Sequence, residues 1–180
     1  MVSRLTLADL TRAEHSRAAV AVHEAGHAVM NVLSGGRIIA AVLTDDERVP
    51  GATVHYHVPD GRWPSIVFAG PWAEARWRAG RRPTQHDLYT VFNGNGCRDD
   101  AALSAAGGLC SVGAEFEPLL ERCWPSVTRL ASQLYLSGEV RNADVCAALG
   151  IPEHDNGFEL SLIRSGSAPG SFSVTRPVSV

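Results

Sequence analysis

The stretch Arg12–Leu33, RAEHSRAAVAVHEAGHAVMNVL, decides the reading of the chain. Thr11 and Glu14 have the spacing of a capping box, in which the threonine serves as N-cap and the glutamate reaches back to it. Ala19, Val22, Gly26, Val29, Met30 and Leu33 then recur at helical spacing, and Ser34-Gly35-Gly36 ends the run. Within this helix lies His23-Glu24-Ala25-Gly26-His27. Histidines four apart stand about one turn apart on the same face, so both imidazoles can ligate one metal ion, with Glu24 beside its water. Gly26 costs the helix up to about 1 kcal/mol relative to alanine, which implies close approach by another element.

Working outward, composition bounds the answer. A chain of 180 residues with 45% hydrophobic content is expected to form one domain with a real core. Its formal charge of -3, with no basic run and no basic-aromatic stripe, gives nucleic-acid binding no electrostatic support. The segment Met1–Thr6 lacks the apolar centre of a signal peptide. The most apolar stretch, Ala18–Leu33, is interrupted by His23, Glu24 and His27, so no membrane span is expected. A cytoplasmic protein is the resulting expectation. Cys97, Cys110, Cys123 and Cys146 form no C-x-x-C pair and read as reduced, small core residues.

The rest of the chain reads as mostly α with a small β-sheet (α+β). Strands are expected at Arg37–Thr44 and Ala52–Val58, joined by the polar loop Asp45–Gly51. In the second strand Thr53, His55 and His57 alternate with Val54, Tyr56 and Val58. His55 and His57 read as a polar strand face more readily than as a second metal pair. A helix is expected from Trp63 to Ala79, with Pro64 in its first turn, Gly80 as its stop and a kink at Pro71. A shorter helix begins after Thr84, another runs from Arg98 to Ala106, and a helical pattern extends from Val112 to Leu136, divided by Pro118 and Pro125. A short helix from Asn142 to Leu149 follows. The domain is expected to span residues 1–164, and the Ser, Gly and Pro-rich tail 165–180 to be disordered.

Two histidines need a third protein ligand to hold a catalytic metal. Glu74, in AGPWAE, and Asp87, in TQHDL, are the candidates, with His86 adjacent to the latter. Thr84 and Asp87 also have capping-box spacing, and an acid in a first turn suits the helix dipole. Spacing alone leaves the two acids level.

The order of segments resembles the peptidase domain of FtsH-type ATP-dependent metalloproteases, the M41 peptidases. The counterparts are His23–His27, Val49–Thr53, Val67–Ala75 and Thr84–Leu88, and the stretch Val112–Leu149 resembles that family's C-terminal helical hairpin. The likeness covers roughly residues 15–150. It implies a zincin-like helical peptidase domain binding Zn²⁺ through His23, His27 and Asp87. Glu24 is implied as general base and Glu74 as a group that orients a ligating histidine. Departures are the absence of an ATPase module, Walker A string and membrane anchor, Pro71 in place of arginine, and a shortened segment before Asp87.

The expected activity is therefore ATP-independent, zinc-dependent endopeptidase hydrolysis of flexible or unfolded polypeptides, bound along the strand 52–58. His86, His57 and Tyr56 are candidate donors to the transition state. Partners are a peptide substrate and no nucleic acid or membrane, with room for an unfoldase acting in trans and for an oligomer. The alternative is a catalytically silent interaction module that keeps the metal as a staple. Such a site ordinarily has four protein ligands and no use for a general base.

Overall fold

The computed structural model describes residues 10–46, 48–94, 96–105 and 109–172. Its elements in order are α1 (Arg12–Leu33), β1 (Arg37–Leu43), β2 (Gly51–His57), α2 (Trp63–Ala79), α3 (Gln85–Phe92) and α4 (Cys97–Ala105). Then come α5 (Leu109–Arg122), α6 (Trp124–Ser137), β3 (Glu139–Arg141), α7 (Asn142–Leu149) and α8 (Gly157–Ser165). The molecule is mostly helical with one small antiparallel sheet, the α+β class expected.

Helix α1 is the axis. Its capping box forms as the sequence implies, with the Thr11 hydroxyl accepting from the Glu14 N–H and the Glu14 carboxylate accepting from the Thr11 N–H. Every residue from Ala19 to Leu33 is buried, so its C-terminal two-thirds is apolar or polar-in-place on all sides. Helices α2 and α6 and the sheet surround it. A Cβ at Gly26 would stand 2.5 Å from the Ala69 carbonyl oxygen and 2.8 Å from the Ala73 Cβ. That contact is the packing reason for a glycine in mid-helix: α1 and α2 touch backbone to backbone there.

Helix α2 starts with Pro64 in its first turn, runs unbroken through Pro71 and ends at Gly80, whose φ of 65° is left-handed. Buried Phe68 and Trp72 fill the centre of the core. The helical pattern expected from Val112 to Leu136 becomes two helices, α5 and α6, that part at Cys123. Pro125 in the first turn of α6 explains the restart, since a proline there costs no hydrogen bond. Pro118 lies inside α5.

The sheet order is β2-β1-β3, both pairings antiparallel, so β2 is an edge strand. Ile38 pairs with His55 and Ala40 with Val54, and the register slips around Ile39. Strand β3 and helix α8 were not expected from the sequence. Of the tail 165–180, residues 166–172 follow α8 in described turns, and Phe172 packs against the core; residues 173–180 lie outside the described residues. So do residues 1–9 of the lead-in. No helix among the described residues is long and apolar enough to cross a membrane.

Candidate metal centre

The face of α1 that bears His23, Glu24 and His27 looks into a cavity of about 530 Å³ whose wall includes His55, Trp63 and Asp99. All three α1 residues are buried, at 7, 8 and 8% exposure. Each histidine is held by its Nδ1. His27 Nδ1 lies 2.7 Å from the Ile66 carbonyl oxygen. Since a carbonyl can only accept, Nδ1 carries the donated proton, which leaves Nε2 as the nitrogen available to a further partner. His23 Nδ1 lies 3.0 Å from Glu74 Oε2. Glu74 is 1% exposed and also paired with Arg78 at 2.7 Å. Burial works against the charge of Glu74, but the His23 hydrogen bond and the positive charges of His23 and Arg78 outweigh it and lower its pKa.

Both Nε2 atoms turn toward one carboxylate, that of Asp99 in the first turn of α4. His23 Nε2 is 3.0 Å from Oδ2 and His27 Nε2 is 3.7 Å from Oδ1. The ligand atoms of His23, His27 and Asp99 all lie within 4.8 Å of one another, and this group could hold a metal ion. Facing Asp99 and Glu74 at once, His23 is the cation of this group. Burial opposes its protonation, but hydrogen bonds to Asp99 and Glu74 outweigh it and raise its pKa to about 10. Asp99 is correspondingly lowered; its own burial opposes this, and the contact with His23 and the charges of both histidines prevail.

Asp87, expected as the third ligand, is not the acid that the structure brings to the two histidines; Asp99 is. Asp87 Oδ2 accepts from the Thr84 N–H at 2.8 Å, from the Thr84 hydroxyl at 2.7 Å and from Arg81 at 2.9 Å. It closes the cap of α3, outside the cavity, and these bonds, led by the Thr84 backbone, lower its pKa to about 2. A carboxylate so engaged is not free to turn to the histidines. The signal for Asp99 was present as Asp99-Asp100 opening a helix after the break at 93–96, but first-turn acids also satisfy the helix dipole without any ligand.

Glu74, expected to orient a ligating histidine, is the acid in contact with His23 Nδ1. Glu24 Oε2 accepts from the Thr53 hydroxyl at 2.7 Å, which ties the carboxyl group to β2. Two glycines make this arrangement fit: a Cβ at Gly51 would press on Glu24 Cγ at 2.9 Å, and one at Gly70 would enter the His27 ring, 2.3 Å from Nε2. The other candidate donors do not reach the cavity. Tyr56 is 74% exposed, His57 and His86 are exposed, and none lines the wall. His55 does. Its Nδ1 is 3.0 Å from Asn31 Nδ2, and its ring meets Trp63 edge to face at 5.4 Å. Burial, with help from the nearby His27, lowers its pKa to about 4.

Compared with protein-family models and with curated proteins, the chain finds no match. The reading of the site therefore stands on its geometry.

Proposed function

We propose that the protein is a zinc-dependent endopeptidase of the M41 kind, cleaving flexible or unfolded polypeptides without ATP, with His23, His27 and Asp99 as its metal ligands. The observation that carries this reading is the glutamate Glu24 held beside a convergent His-His-Asp set in a cavity bordered by an edge strand. Ligand atoms about 2.0–2.1 Å from a tetrahedral ion stand roughly 3.3–3.4 Å apart. The Nε2–O separations of 3.0 and 3.7 Å bracket that spacing. Two imidazoles and a carboxylate suit zinc, and three protein ligands leave one position for water.

When bound, zinc supplies a Lewis acid and a water whose pKa is lowered toward about 7. The remaining roles fall to the chain. Glu24 takes a proton from the attacking water as its oxygen bonds to the scissile carbonyl carbon, and returns it to the amine as the C–N bond breaks. The Thr53 hydroxyl fixes the rotamer of Glu24. Glu74 and the Ile66 carbonyl fix the ring planes and tautomers of the histidines. Residues Gly51–Thr53 of β2 border the same cavity. An extended peptide pairing with the free edge of that strand would pass its backbone across Glu24.

The test is metal analysis joined to a peptide-release assay on the purified protein with zinc. Glu24→Gln is expected to bind zinc as the wild type does and to lose turnover by a factor of at least about 10²–10⁴. Undiminished hydrolysis by Glu24→Gln would falsify the mechanism, and a wild-type protein that binds zinc but releases no peptide from an unfolded substrate would favour the staple reading.

A further inference from the structure

The hydrogen bonds around Asn31 fix a proton on an atom that the proposed reaction can use. Asn31 is fully buried on α1, one turn beyond His27. Its Nδ2 lies 3.0 Å from the Arg37 carbonyl oxygen and 3.0 Å from His55 Nδ1. A backbone carbonyl only accepts, so the amide must face it with nitrogen rather than oxygen. The amide has two N–H bonds; one goes to Arg37, and the other goes to His55. His55 Nδ1 must then be the acceptor, with its lone pair toward Asn31. A proton there would set N–H against N–H inside the protein. The ring is therefore neutral with its hydrogen on Nε2, its one remaining polar group, on a side chain in the cavity wall with His23, Glu24 and His27.

We propose that His55 is a catalytic residue whose Nε2–H donates to the oxyanion that develops on the scissile carbonyl. This rests on the peptidase reading and assigns the donor that reading lacks. Neutrality matters: an imidazole N–H stabilises charge that appears only in the transition state, whereas an imidazolium beside the metal ligands would repel the cation they are arranged to hold. Asn31 is a positioning residue, and Trp63 lies near-perpendicular to the His55 ring, 5.4 Å between centroids.

Two measurements test this. Nitrogen-15 NMR of the imidazoles in the metal-free protein at pH 7 is expected to find His55 neutral and protonated on Nε2; the Nδ1–H tautomer or an imidazolium would overturn the proposal whatever the activity. His55→Phe, which keeps a ring against Trp63 and removes the donor, is expected to lower kcat by about 10²–10³-fold, with zinc content and KM nearly unchanged. It should weaken a phosphinic peptide, which mimics the tetrahedral state, far more than the matching substrate. An active wild type with an equally active His55→Phe refutes the role of His55 and leaves the peptidase reading intact. A zinc-loaded wild type that neither cleaves peptide nor binds the phosphinic peptide refutes both.

Discussion

Replacing Gly70 by alanine tests whether the His27 ring is held for a metal or merely packed. Helix α2 does two things to that ring: the Ile66 carbonyl accepts from Nδ1 at 2.7 Å, and Gly70, one turn on, leaves room for the other edge. A Cβ at 70 would lie 2.3 Å from Nε2, 2.4 Å from Cε1 and 2.8 Å from Cδ2. Comfortable carbon contacts begin at about 3.5 Å, so the ring or the helix must yield by roughly 1 Å. Turning the ring breaks the Ile66 bond, and translating it moves Nε2 relative to Asp99. Overpacking of this kind costs about 1–3 kcal/mol. At roughly 2–4 °C per kcal/mol for a domain of this size, the metal-free variant should melt about 2–12 °C lower. Because the displaced atom is the proposed ligand, metal affinity should fall by about 10–100-fold, the range seen when a ligand's supporting partner is lost. Titration with zinc against a competing chelator, with thermal unfolding of both forms, measures the two effects separately. Gly157→Ala is the control, since nothing lies within 4 Å of that added Cβ. Wild-type zinc affinity in Gly70→Ala would refute the assignment of His27 Nε2.

The remaining predictions concern the choice of acid and the cysteines. Asp99→Ala should weaken zinc by more than the roughly 10–100-fold typical of an outer partner, while Asp87→Ala leaves zinc affinity unchanged; chelator competition separates them. The low pKa of Asp87, about 2 against an ordinary 3.8, comes first from the Thr84 backbone and hydroxyl bonds. A carboxylate lowered in this way stabilises the fold above pH 3.8, and the contribution disappears as pH falls to 2. The stability difference between wild type and Asp87→Asn, followed by acid titration, should therefore close over that interval and stay constant above it. Among the described cysteines, burial raises Cys123 to about 12 and Cys146 to about 11, whereas Cys97 is exposed. A thiol reagent at pH 8 should label Cys97 in the folded protein and reach Cys123 and Cys146 only on unfolding, as peptide mapping would record.

Local chemistry explains what was legible. Pro64 and Gly80 mark the ends of α2 by their own backbone preferences. Thr11 with Glu14 announces the start of α1 and Thr84 with Asp87 that of α3, each a contact between residues three apart, so the sequence displays both partners. The two histidines belong to the same class. What the sequence did not show was that Asp99, an acid outside the candidates Glu74 and Asp87, is the one that reaches them. Asp87 and Asp99 both suit a helix start, and only the packing of α3 and α4 against α2 decides that one closes a cap and the other faces Nε2. His55 was legible as a residue on a polar strand face, but its pairing with Asn31 spans 24 positions and depends on how β2 pairs with β1. Strand β3 is three residues long, too short to show a period, and exists because α6 returns the chain to the edge of β1.

The cost of burying Glu24 bears on the choice between a catalytic site and a staple. The carboxyl group is on a residue 8% exposed. Among the described residues its hydrogen bonding is from the Thr53 hydroxyl, and no arginine pairs with it. Glu74, one layer back, has both His23 and Arg78. A buried acid held by one hydroxyl, with only the nearby charge of His23 to offset its own, is costly to bury, and a staple gains nothing by keeping one. A structural metal site is also closed, with four protein donors, whereas the described donors number three and face a cavity of about 530 Å³. The two acids are therefore differently equipped. Glu74 is saturated, as suits a group that holds a ring still; Glu24 is steadied by one hydroxyl on one oxygen, as the proposed general base requires.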